Sequence, residues 1–390
     1  MTTAFQATEE CAAFSVVFLG VGGGPLESNS SCYLMKPTDS RWEDNTLLVE
    51  GGSFLGSLDS LLRDAGQPGS AFHDVTFDPS IDEEERAGKF NENIQSVLIS
   101  HGHLDHIFGL VLASAVQRKQ RPVYGTEETL KSIRNVFDGR IWPPLASFDA
   151  TDPLALYHLR RLICKEPVTV APGVQVIPFL VTHGKSIIPA ENKTTSMCGD
   201  NLILRDKSVE DMHSTAFLIT NTHIDRHILF FGDVESDVTG KTATNHDVWV
   251  RVAPLFAQKR LRTVFIECSF SDAQPRELLF GHFTPALLYH DLRDFARCVA
   301  AYNKSGKTEG VSIGDEELVG VLSGLNCIII HIKGMVKCHP AVMKDKGSCP
   351  KQHPASQGAK TIGEQIVQHE AEGRLGVNFH ISKRGERLEC

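Results

Sequence analysis

The sequence of 390 residues has no CxxC pair among its ten cysteines, no long apolar run and no excess of basic residues. The scattered cysteines exclude the tight disulfide framework of a small secreted domain, and we interpret them mainly as reduced core thiols. No window reaches the roughly 18 apolar residues that a membrane helix needs. No N-terminal stretch joins basic residues to a long apolar segment, as a secretory signal does. We therefore expect a cytoplasmic protein without a membrane partner.

The charge balance argues against a general polyanion-binding protein. The net charge is −9 and the pI is near 6.0, whereas affinity for a phosphate backbone depends on clustered Lys and Arg. Short basic runs at 117–121 and 259–262 are interpreted as solvated helix ends. We expect no nucleic-acid partner. The sequence does not fix the oligomeric state, and a homodimer is one option.

Short apolar, β-branched runs recur along the chain, and most of them end in a polar residue. They predict strands at 14–20, 46–49, 96–100, 174–182, 216–220, 227–231, 263–267 and 325–331. Helical patterns intervene at 107–119 and at 284–302, where Thr284 is the predicted cap and Pro285 the first helical residue. This alternation predicts an α/β fold with layers of both helices and strands.

The polar segments of the chain do not resemble linkers between two halves. Residues 55–89, 184–212 and 338–360 are polar or rich in Gly and Pro, which suits loops or lids on the surface. The sequence contains no internal repeat. We therefore expect a single domain over residues 1–390 with surface insertions at these three places.

Residues 100–115, SHGHLDHIFGLVLASA, hold three histidines and an aspartate within six positions. Alternate side chains of an extended chain share a face, so His101 and His103 can bind one metal ion together. Asp105 and His106 would point towards a second ion as the chain turns into a helix expected from residue 107. Nitrogen and oxygen donors without thiolate suit zinc, manganese or iron. Burying so many unpaired polar groups would be costly, which favours metal binding.

Two ions need more ligands than these positions supply, and the chain offers them further along. His183 follows VIPFLVT, Asp233 follows ILFFG, and His331 follows LNCIII. Polar residues commonly end strands, so each of them taken alone could be structural. Together they predict one shared rim of ligands at strand ends.

This pattern resembles the metallo-β-lactamase superfamily, in which HxHxDH is followed by His, Asp and His at strand ends. HGHLDHIFGLVLASA is similar to the signature of the class II cyclic-nucleotide phosphodiesterases, as are FLGVGGGPLESNSS, HSTAFLI, FFGDVESD, FIECSF, GHFTP and IIIHIK in order and character. The likeness covers about residues 14–335. It implies a four-layer αβ/βα sandwich with a dinuclear metal site. The implied activity is hydrolysis of 3′,5′-cyclic nucleotides, cAMP before cGMP, to nucleoside 5′-monophosphates in the control of cAMP signalling.

The resemblance also implies a role for each site residue. The implied metal ligands are His101, His103 and His183 for one ion, Asp105, His106 and His331 for the other, and Asp233 as a bridge. Both ions are expected to be divalent, with Zn²⁺ favoured. IECSF and GHFTP fall in the order of a Glu motif and a Gly-His motif of related tRNase Z enzymes, which assigns Glu267 and His282 to proton transfer. Asp105 is counted with them as catalytic.

Spacing alone does not exclude the reverse assignment, with His282 as the ligand and His331 in proton transfer. In the expected reaction, hydroxide attacks phosphorus and the 3′ oxygen leaves with a proton from His282. Glu267 is expected to orient His282 and to favour its charged form. A buried His–carboxylate pair is also found as plain scaffolding, so that role stays open for the pair.

Other features near the expected site have weaker signals. Glu50 in LLVEGG stands where the superfamily usually has a supporting Asp. The loop LGVGGGPLES fails GxGxxG because Pro25 replaces the last glycine, and it lacks the GK[ST] of a P-loop. We interpret it as a tight turn that lets the backbone approach the site. Phe270, Phe283 and residues 184–212 are candidates for the base pocket by position only.

Three alternative functions remain at this stage. The acidic charge and the lack of an obvious basic arm argue against a tRNase Z-like endoribonuclease. A thioester hydrolase of the glyoxalase II type would not explain the match through DHIFGLVLASA. The complete ligand set argues against a catalytically inactive nucleotide sensor.

Overall fold

Two β-sheets packed face to face form the centre of the protein, as seen in a computed structural model that describes residues 12–189, 207–333 and 355–390. In spatial order the first sheet contains β15 (Arg387–Glu389), β1 (Phe14–Gly20), β2 (Cys32–Pro37), β3 (Thr46–Val49), β4 (Ile94–Leu98), β5 (Arg121–Gly125), β7 (Tyr157–Arg161) and β6 (Ala146–Ser147). The second contains β14 (Asn378–Ile381), β13 (Asn326–Ile330), β12 (Leu261–Glu267), β11 (Arg226–Phe231), β10 (Lys207–Asn221), β9 (Val174–Pro189) and β8 (Val168–Ala171).

Each sheet changes from antiparallel to parallel pairing part of the way across. In the first sheet β1, β2 and β3 are antiparallel neighbours, whereas β3, β4 and β5 are parallel. In the second sheet β9, β10 and β11 are antiparallel, whereas β11, β12, β13 and β14 are parallel. Parallel strands end at the same edge of their sheet, which is where open α/β sheets bind ligands. The segments that follow the parallel strands therefore meet there.

The space between the sheets is filled by fully buried aromatic and aliphatic side chains. Phe18 of the first sheet lies 6.1 Å from Phe265 of the second, and Tyr33 lies 5.1 Å from Phe230, measured between ring centroids. These strands are apolar on both faces because each sheet also carries helices outside. Burial on both faces explains the continuous apolar runs in the sequence.

Helices cover the outer face of each sheet and complete the four-layer αβ/βα sandwich predicted from the sequence. Those on the side of the first sheet are α1 (Trp42–Asn45), α2 (Leu55–Leu62), α3 (Arg86–Asn91), α4 (Leu104–Ala113) and α5 (Glu127–Val136). Those that follow in the second half are α6 (Asp237–Gly240), α7 (Thr244–Ala257), α8 (Pro285–Ser305) and α9 (Ala355–Gly373). Across the described residues, no helix combines the length and the apolar character that crossing a bilayer requires.

The predicted strands all occur, with two large differences in length. β9 and β10 extend to Pro189 and from Lys207, well beyond the predicted 174–182 and 216–220. Their antiparallel pairing continues to the Lys207–Pro189 pair. This backbone pairing continues the two strands beyond the predicted ends.

The helix that follows the HxHxDH segment starts earlier than predicted. α4 runs over Leu104–Ala113, not 107–119, because His103 is the last extended residue before it (φ −68°, ψ 149°). Asp105 and His106 therefore belong to its first turn, where an acidic side chain is favourable. The prediction for α8 is confirmed, since Thr284 caps it and Pro285 is its first residue.

Of the predicted surface insertions, residues 55–89 prove to be partly core. Leu58, Leu62 and Phe72 are fully or almost fully buried, and α2 and α3 lie in this segment. The ends of the predicted insertion 184–212 are not loops, because 184–189 belong to β9 and 207–212 to β10, and 355–360 of the third insertion begin α9. Residues 190–206 and 338–354 of these two insertions lie outside the described residues. The single-domain organisation stays a prediction.

Candidate active site

The seven residues predicted to bind metal lie together at one edge of the sandwich, and we call them the ligand cluster. They come from the segment after β4 (His101, His103), the first turn of α4 (Asp105, His106), β9 (His183), the residues after β11 (Asp233) and the residue after β13 (His331). His183 does not end its strand as expected, because β9 continues beyond it. The neighbouring Gly184 has a positive φ of 70°, a conformation that glycine adopts readily.

The ligand cluster divides into two groups of potential metal donors. One donor atom each from His101, His103, His183 and Asp233 lies within 4.8 Å of the others, and the same holds for Asp105, His106 and His331. These are the two sets that the resemblance implies. Their role as metal ligands stays a prediction.

Asp233 lies between the two groups. On the first side its Oδ2 is 3.7 Å from His101 Nε2 and 3.6 Å from His183 Nε2. On the second side its Oδ1 is 3.3 Å from His106 Nε2, and its Oδ2 is 3.0 Å from His331 Nε2. Asp233 therefore occupies the position that a bridging carboxylate needs.

The ring nitrogens that face Asp233 fit a metal site. Among the described residues, Nε2 of His101, His106 and His331 is buried and makes no well-aligned hydrogen bond, although Asp233 lies 3.0–3.7 Å from each of them. Buried polar atoms in native proteins nearly always have a partner, so this concentration calls for an explanation. Divalent cations would supply it, because each Nε2 can donate its lone pair to an ion.

The opposite ring nitrogens are held by neighbouring polar groups. Ser100 Oγ lies 3.0 Å from His101 Nδ1, and Ser31 Oγ lies 2.8 Å from His331 Nδ1. His183 Nδ1 donates to the carbonyl oxygen of Gly281 at 3.0 Å. Such contacts fix the orientation of a ligating histidine and leave its other nitrogen free. The sequence analysis missed both serines, although SNSS and the Ser100 next to HxH were visible.

The protonation states of the side chains in the ligand cluster also favour the binding of cations. Burial lowers the pKa of His183 to about 3 and that of His101 well below its ordinary value, so both rings are neutral, as metal binding requires. Burial would raise the pKa of Asp233, but the charges of His331 and His106 outweigh it and hold that pKa well below its ordinary value. Asp233 is therefore ionised in a buried site.

Glu50 supports the cluster from behind. It is buried, its φ is 60°, and its Oε2 lies 3.2 Å from His106 Nδ1. Its carboxylate also accepts the backbone N–H of Ser100 at 3.3 Å. Burial would lower the pKa of His106, but Asp233 and Glu50 raise it well above its ordinary value. A bound ion would displace the proton that these two carboxylates hold on the ring.

The glycine loop approaches the cluster closely, as predicted. A Cβ atom on Gly23 would lie only 2.6 Å from His331 Nε2. The loop is fixed there by a hydrogen bond from the backbone N–H of His331 to Val21 O at 2.7 Å. A glycine is needed at position 23 because any side chain would press on the ring nitrogen that faces Asp233.

Glu267 and His282 form a buried hydrogen-bonded pair beside the cluster. His282 Nδ1 lies 2.7 Å from Glu267 Oε1, and Ser269 Oγ donates to Glu267 Oε2 at 2.5 Å. Burial and the nearby Asp233 raise the pKa of Glu267 to about 7. Burial lowers the pKa of His282 well below its ordinary value despite the nearby carboxylates. The expectation that His282 is kept charged is therefore wrong, because burial of the ring lowers its pKa more than the nearby carboxylates raise it.

His331 and His282 differ in their partners. His331 Nε2 lies 3.0 Å from Asp233, while its Nδ1 is held by Ser31. His282 Nδ1 lies 4.0 Å from Asp233 but at hydrogen-bond distance from Glu267. His282 still falls within 4.8 Å of donor atoms of Asp233 and His331. The contacts favour the original assignment without excluding the reverse one.

The two aromatic candidates for the base pocket prove to be core residues. Phe270 and Phe283 are 6% and 0% exposed and pack with the apolar side chains around α8. Phe280, between them in the sequence, is 59% exposed. Position along the chain did not reveal which of these rings faces solvent.

Another group of potential ligands lies on α7 and α8. His246, Asp294 and Cys298 have donor atoms within 4.8 Å of one another. His246 Nδ1 lies 2.7 Å from Asp294 Oδ2, the length of a direct hydrogen bond and shorter than the contacts around Asp233. A hydrogen-bonded pair that joins the two helices explains this group.

Comparison with solved structures agrees with the observed fold. Unliganded yeast PDE1 superposes with a TM-score of 0.71 at 21% identity, covering 97% of this chain and 100% of that chain. The metallo-beta-lactamase fold protein YhfI from Bacillus subtilis gives a TM-score of 0.51 at 13% identity, covering 97% of this chain and 99% of that chain. The sandwich is therefore the metallo-β-lactamase fold.

Comparison of sequences identifies the family. A 3′,5′-cyclic-nucleotide phosphodiesterase of Schizosaccharomyces pombe is 28% identical over 382 residues, which cover 96% of this chain and 92% of the relative. An enzyme of the same name from Aliivibrio fischeri is 26% identical and covers 99% of this chain and 95% of the relative. A model of the class-II cAMP phosphodiesterases matches residues 27–385. This match spans most of the sequence, including the whole ligand cluster, and the chain therefore belongs to the class-II cAMP phosphodiesterases.

Proposed function

We propose that this protein hydrolyses 3′,5′-cyclic nucleotides, with cAMP preferred over cGMP, to nucleoside 5′-monophosphates, using two Zn²⁺ ions held by the ligand cluster. The activity follows from its membership of the class-II cAMP phosphodiesterases. One observation supports the dinuclear site above all: Asp233 lies between two groups of histidines, and the buried Nε2 atoms of four of them lie 3.0–3.7 Å from its carboxylate oxygens. Such an enzyme would lower cAMP and so regulate cAMP signalling.

Each ion would be held by the donors of one group. His101, His103 and His183 would bind the first ion, while Asp105, His106 and His331 would bind the second. Asp233 would contact both. Histidine and carboxylate donors without a thiolate suit Zn²⁺ in catalytic sites. When bound, two divalent ions would supply hydroxide near neutral pH and stabilise charge on the attacking and leaving oxygens.

The protein's own residues would hold the reacting groups and move a proton. Ser100 and Ser31 keep two ligand rings in orientation through their Nδ1 atoms. In His282 the Nδ1 atom is engaged by Glu267, which leaves Nε2 as the ring nitrogen that can serve the substrate. Because the pKa of Glu267 is raised to about 7, the pair can hold a proton near neutral pH. We assign this proton to the departing 3′ oxygen.

A turnover assay with metal-loaded protein tests this proposal. Purified protein with Zn²⁺ should convert cAMP to 5′-AMP, and elemental analysis should find two ions per chain. A chelator should abolish turnover, and added Zn²⁺ should restore it. The Asp233→Asn variant keeps the shape of the side chain but removes its negative charge. It should lose both metal and activity.

Different failures would identify different errors. No hydrolysis of any cyclic nucleotide by metal-loaded protein would refute the proposed activity. Hydrolysis that resists chelation would refute the metal mechanism. Formation of 3′-AMP would show that the 5′ oxygen leaves, contrary to the proposal.

A further inference from the structure

Lys333 is held beside the ligand cluster by the backbone on two sides. Its backbone N–H donates to Ser269 O at 3.1 Å. The preceding residue, Ile332, pairs with the glycine loop, where the Gly23 N–H donates to Ile332 O at 3.2 Å. The chain from His331 to Lys333 therefore runs between the glycine loop and the residues that follow β12. The backbone of Lys333, from which its side chain extends, is fixed by these contacts.

The Lys333 side chain passes over the same glycine as the His331 ring. A Cβ atom on Gly23 would lie 2.6 Å from His331 Nε2 and 2.8 Å from Lys333 Cγ. The side chain is half-buried, and its Nζ donates to Gly23 O at 3.2 Å. The ammonium group is thus kept near the ring nitrogen that faces Asp233.

This ammonium has no carboxylate partner among the described residues. The ion pairs of the ligand cluster join its histidines to Asp105, Asp233 or Glu50, and none within 4.0 Å includes Lys333. Its field nonetheless reaches the cluster, because after burial the charge of Lys333 is among the causes that lower the pKa of His103 and His282. The same charge is among the causes that lower the pKa of Asp105, although the two groups form no ion pair. A half-buried cation that makes no ion pair with any described residue is suited to bind an anion.

We propose that Lys333 binds a non-bridging oxygen of the substrate phosphate and stabilises the charge that develops there during attack. This inference rests on the proposed function. The substrate is a phosphodiester monoanion, and addition of hydroxide makes it a dianion at phosphorus. The new P–O bond forms as the P–O3′ bond breaks, and the 3′ oxygen takes its proton from the Glu267–His282 pair. Lys333 keeps its protons throughout and acts only as a positive charge.

Substitution of Lys333 by a residue of similar length separates its charge from its packing. Lys333→Met removes the ammonium group and keeps an unbranched apolar stem, whereas Lys333→Arg keeps the charge. Lys119→Met is the matched control, because Lys119 is exposed and precedes β5, at the opposite edge of the sheet from the ligand cluster. All variants are loaded with Zn²⁺ and compared with wild type in metal content, thermal midpoint and kinetics with cAMP.

Removal of a preorganised charge from an oxyanion costs on the order of 100-fold or more in kcat, and for this half-buried side chain we expect about 10- to 100-fold. The loss should appear in kcat, with metal content unchanged, and Lys333→Arg should recover part of it. Lys333→Met should also weaken inhibition by inorganic phosphate, which a purely structural lysine would not do.

Several results would overturn the inference. A Lys333→Met variant that retains the kcat of Lys119→Met, loses metal, or changes only in KM contradicts stabilisation of developing charge. These outcomes require an active, chelator-sensitive wild type, and they leave the proposed function intact. An inactive wild type would refute the proposed function itself.

Discussion

Ser31 provides a test of the second ion site that leaves every predicted ligand in place. Its hydroxyl lies 2.8 Å from His331 Nδ1, and both residues are buried, 1% exposed each. Ser31→Ala removes this partner without removing a donor to the metal. The His331 ring then loses the contact that fixes its rotation, so its Nε2 would no longer be held beside Asp233.

The expected magnitude follows from this single lost contact. Loss of a group that orients a ligating histidine typically weakens metal binding by about 10- to 100-fold, which corresponds to about 1.4–2.8 kcal/mol. Only one of the two ions should be affected, because His101 and His183 keep their own partners, Ser100 and Gly281. Titration of the metal-free protein with Zn²⁺ in a competing chelator would measure the two affinities separately.

Ser30→Ala is the matched control. Ser30 is the neighbouring serine of the same SNSS run and is equally buried, but its Oγ donates to Leu26 O at 3.2 Å and not to a ligand. It should bind both ions as wild type does. If Ser31→Ala also binds both ions as wild type does, the orientation of His331 does not matter to the metal. The reverse assignment, with His282 as the ligand, would then be favoured.

Three further predictions concern other parts of the molecule. His282→Ala should keep both ions and lose about 100- to 10,000-fold in kcat, measured with cAMP beside elemental analysis; loss of an ion would instead make His282 a ligand. Phe283→Ala should lower the free energy of unfolding by about 3–5 kcal/mol in urea titrations, because the ring is fully buried. Unchanged stability with a raised KM would instead show that Phe283 contacts the base of the substrate. Burial raises the pKa of Asp291 to about 7, so the folded state binds this proton more tightly than the unfolded state. Stability should therefore fall as the pH rises from about 4 to about 7, and Asp291→Asn should flatten that fall in unfolding curves; an equal slope in both proteins would contradict it.

The strand framework could be predicted because burial on both faces makes apolar runs continuous. The predicted ranges 14–20 and 46–49 have the same bounds as β1 and β3, and both strands lie in the interior of the first sheet. The ends of β9 and β10 could not be predicted in this way. Beyond His183 the register pairs Lys185 with Asp211 and Ile187 with Val209, a mixture of polar and apolar residues without a regular period.

The residues that meet in the ligand cluster were predictable from residue type and spacing, whereas the groups around them were not. Ser31 and Ser100 each contribute one hydroxyl, and a lone hydroxyl has no spacing that distinguishes a support from any other serine. The buried state of Phe270 and Phe283 depends on how α8 packs on the second sheet, which no local pattern encodes. The predicted charge of His282 was wrong for a similar reason, since burial of the ring depends on the whole fold.

The two acids nearest His106 follow equivalent strands of the two sheets. Glu50 comes directly after β3 and Asp233 comes shortly after β11, and each of these strands is where its sheet changes from antiparallel to parallel pairing. His106 lies between them, with Nδ1 3.2 Å from Glu50 and Nε2 3.3 Å from Asp233. Glu50 has a left-handed backbone conformation, with a φ of 60°. Because one residue contacts an acid from each sheet, the proposed second ion site depends on the alignment of the whole sandwich and not on the HxHxDH segment alone.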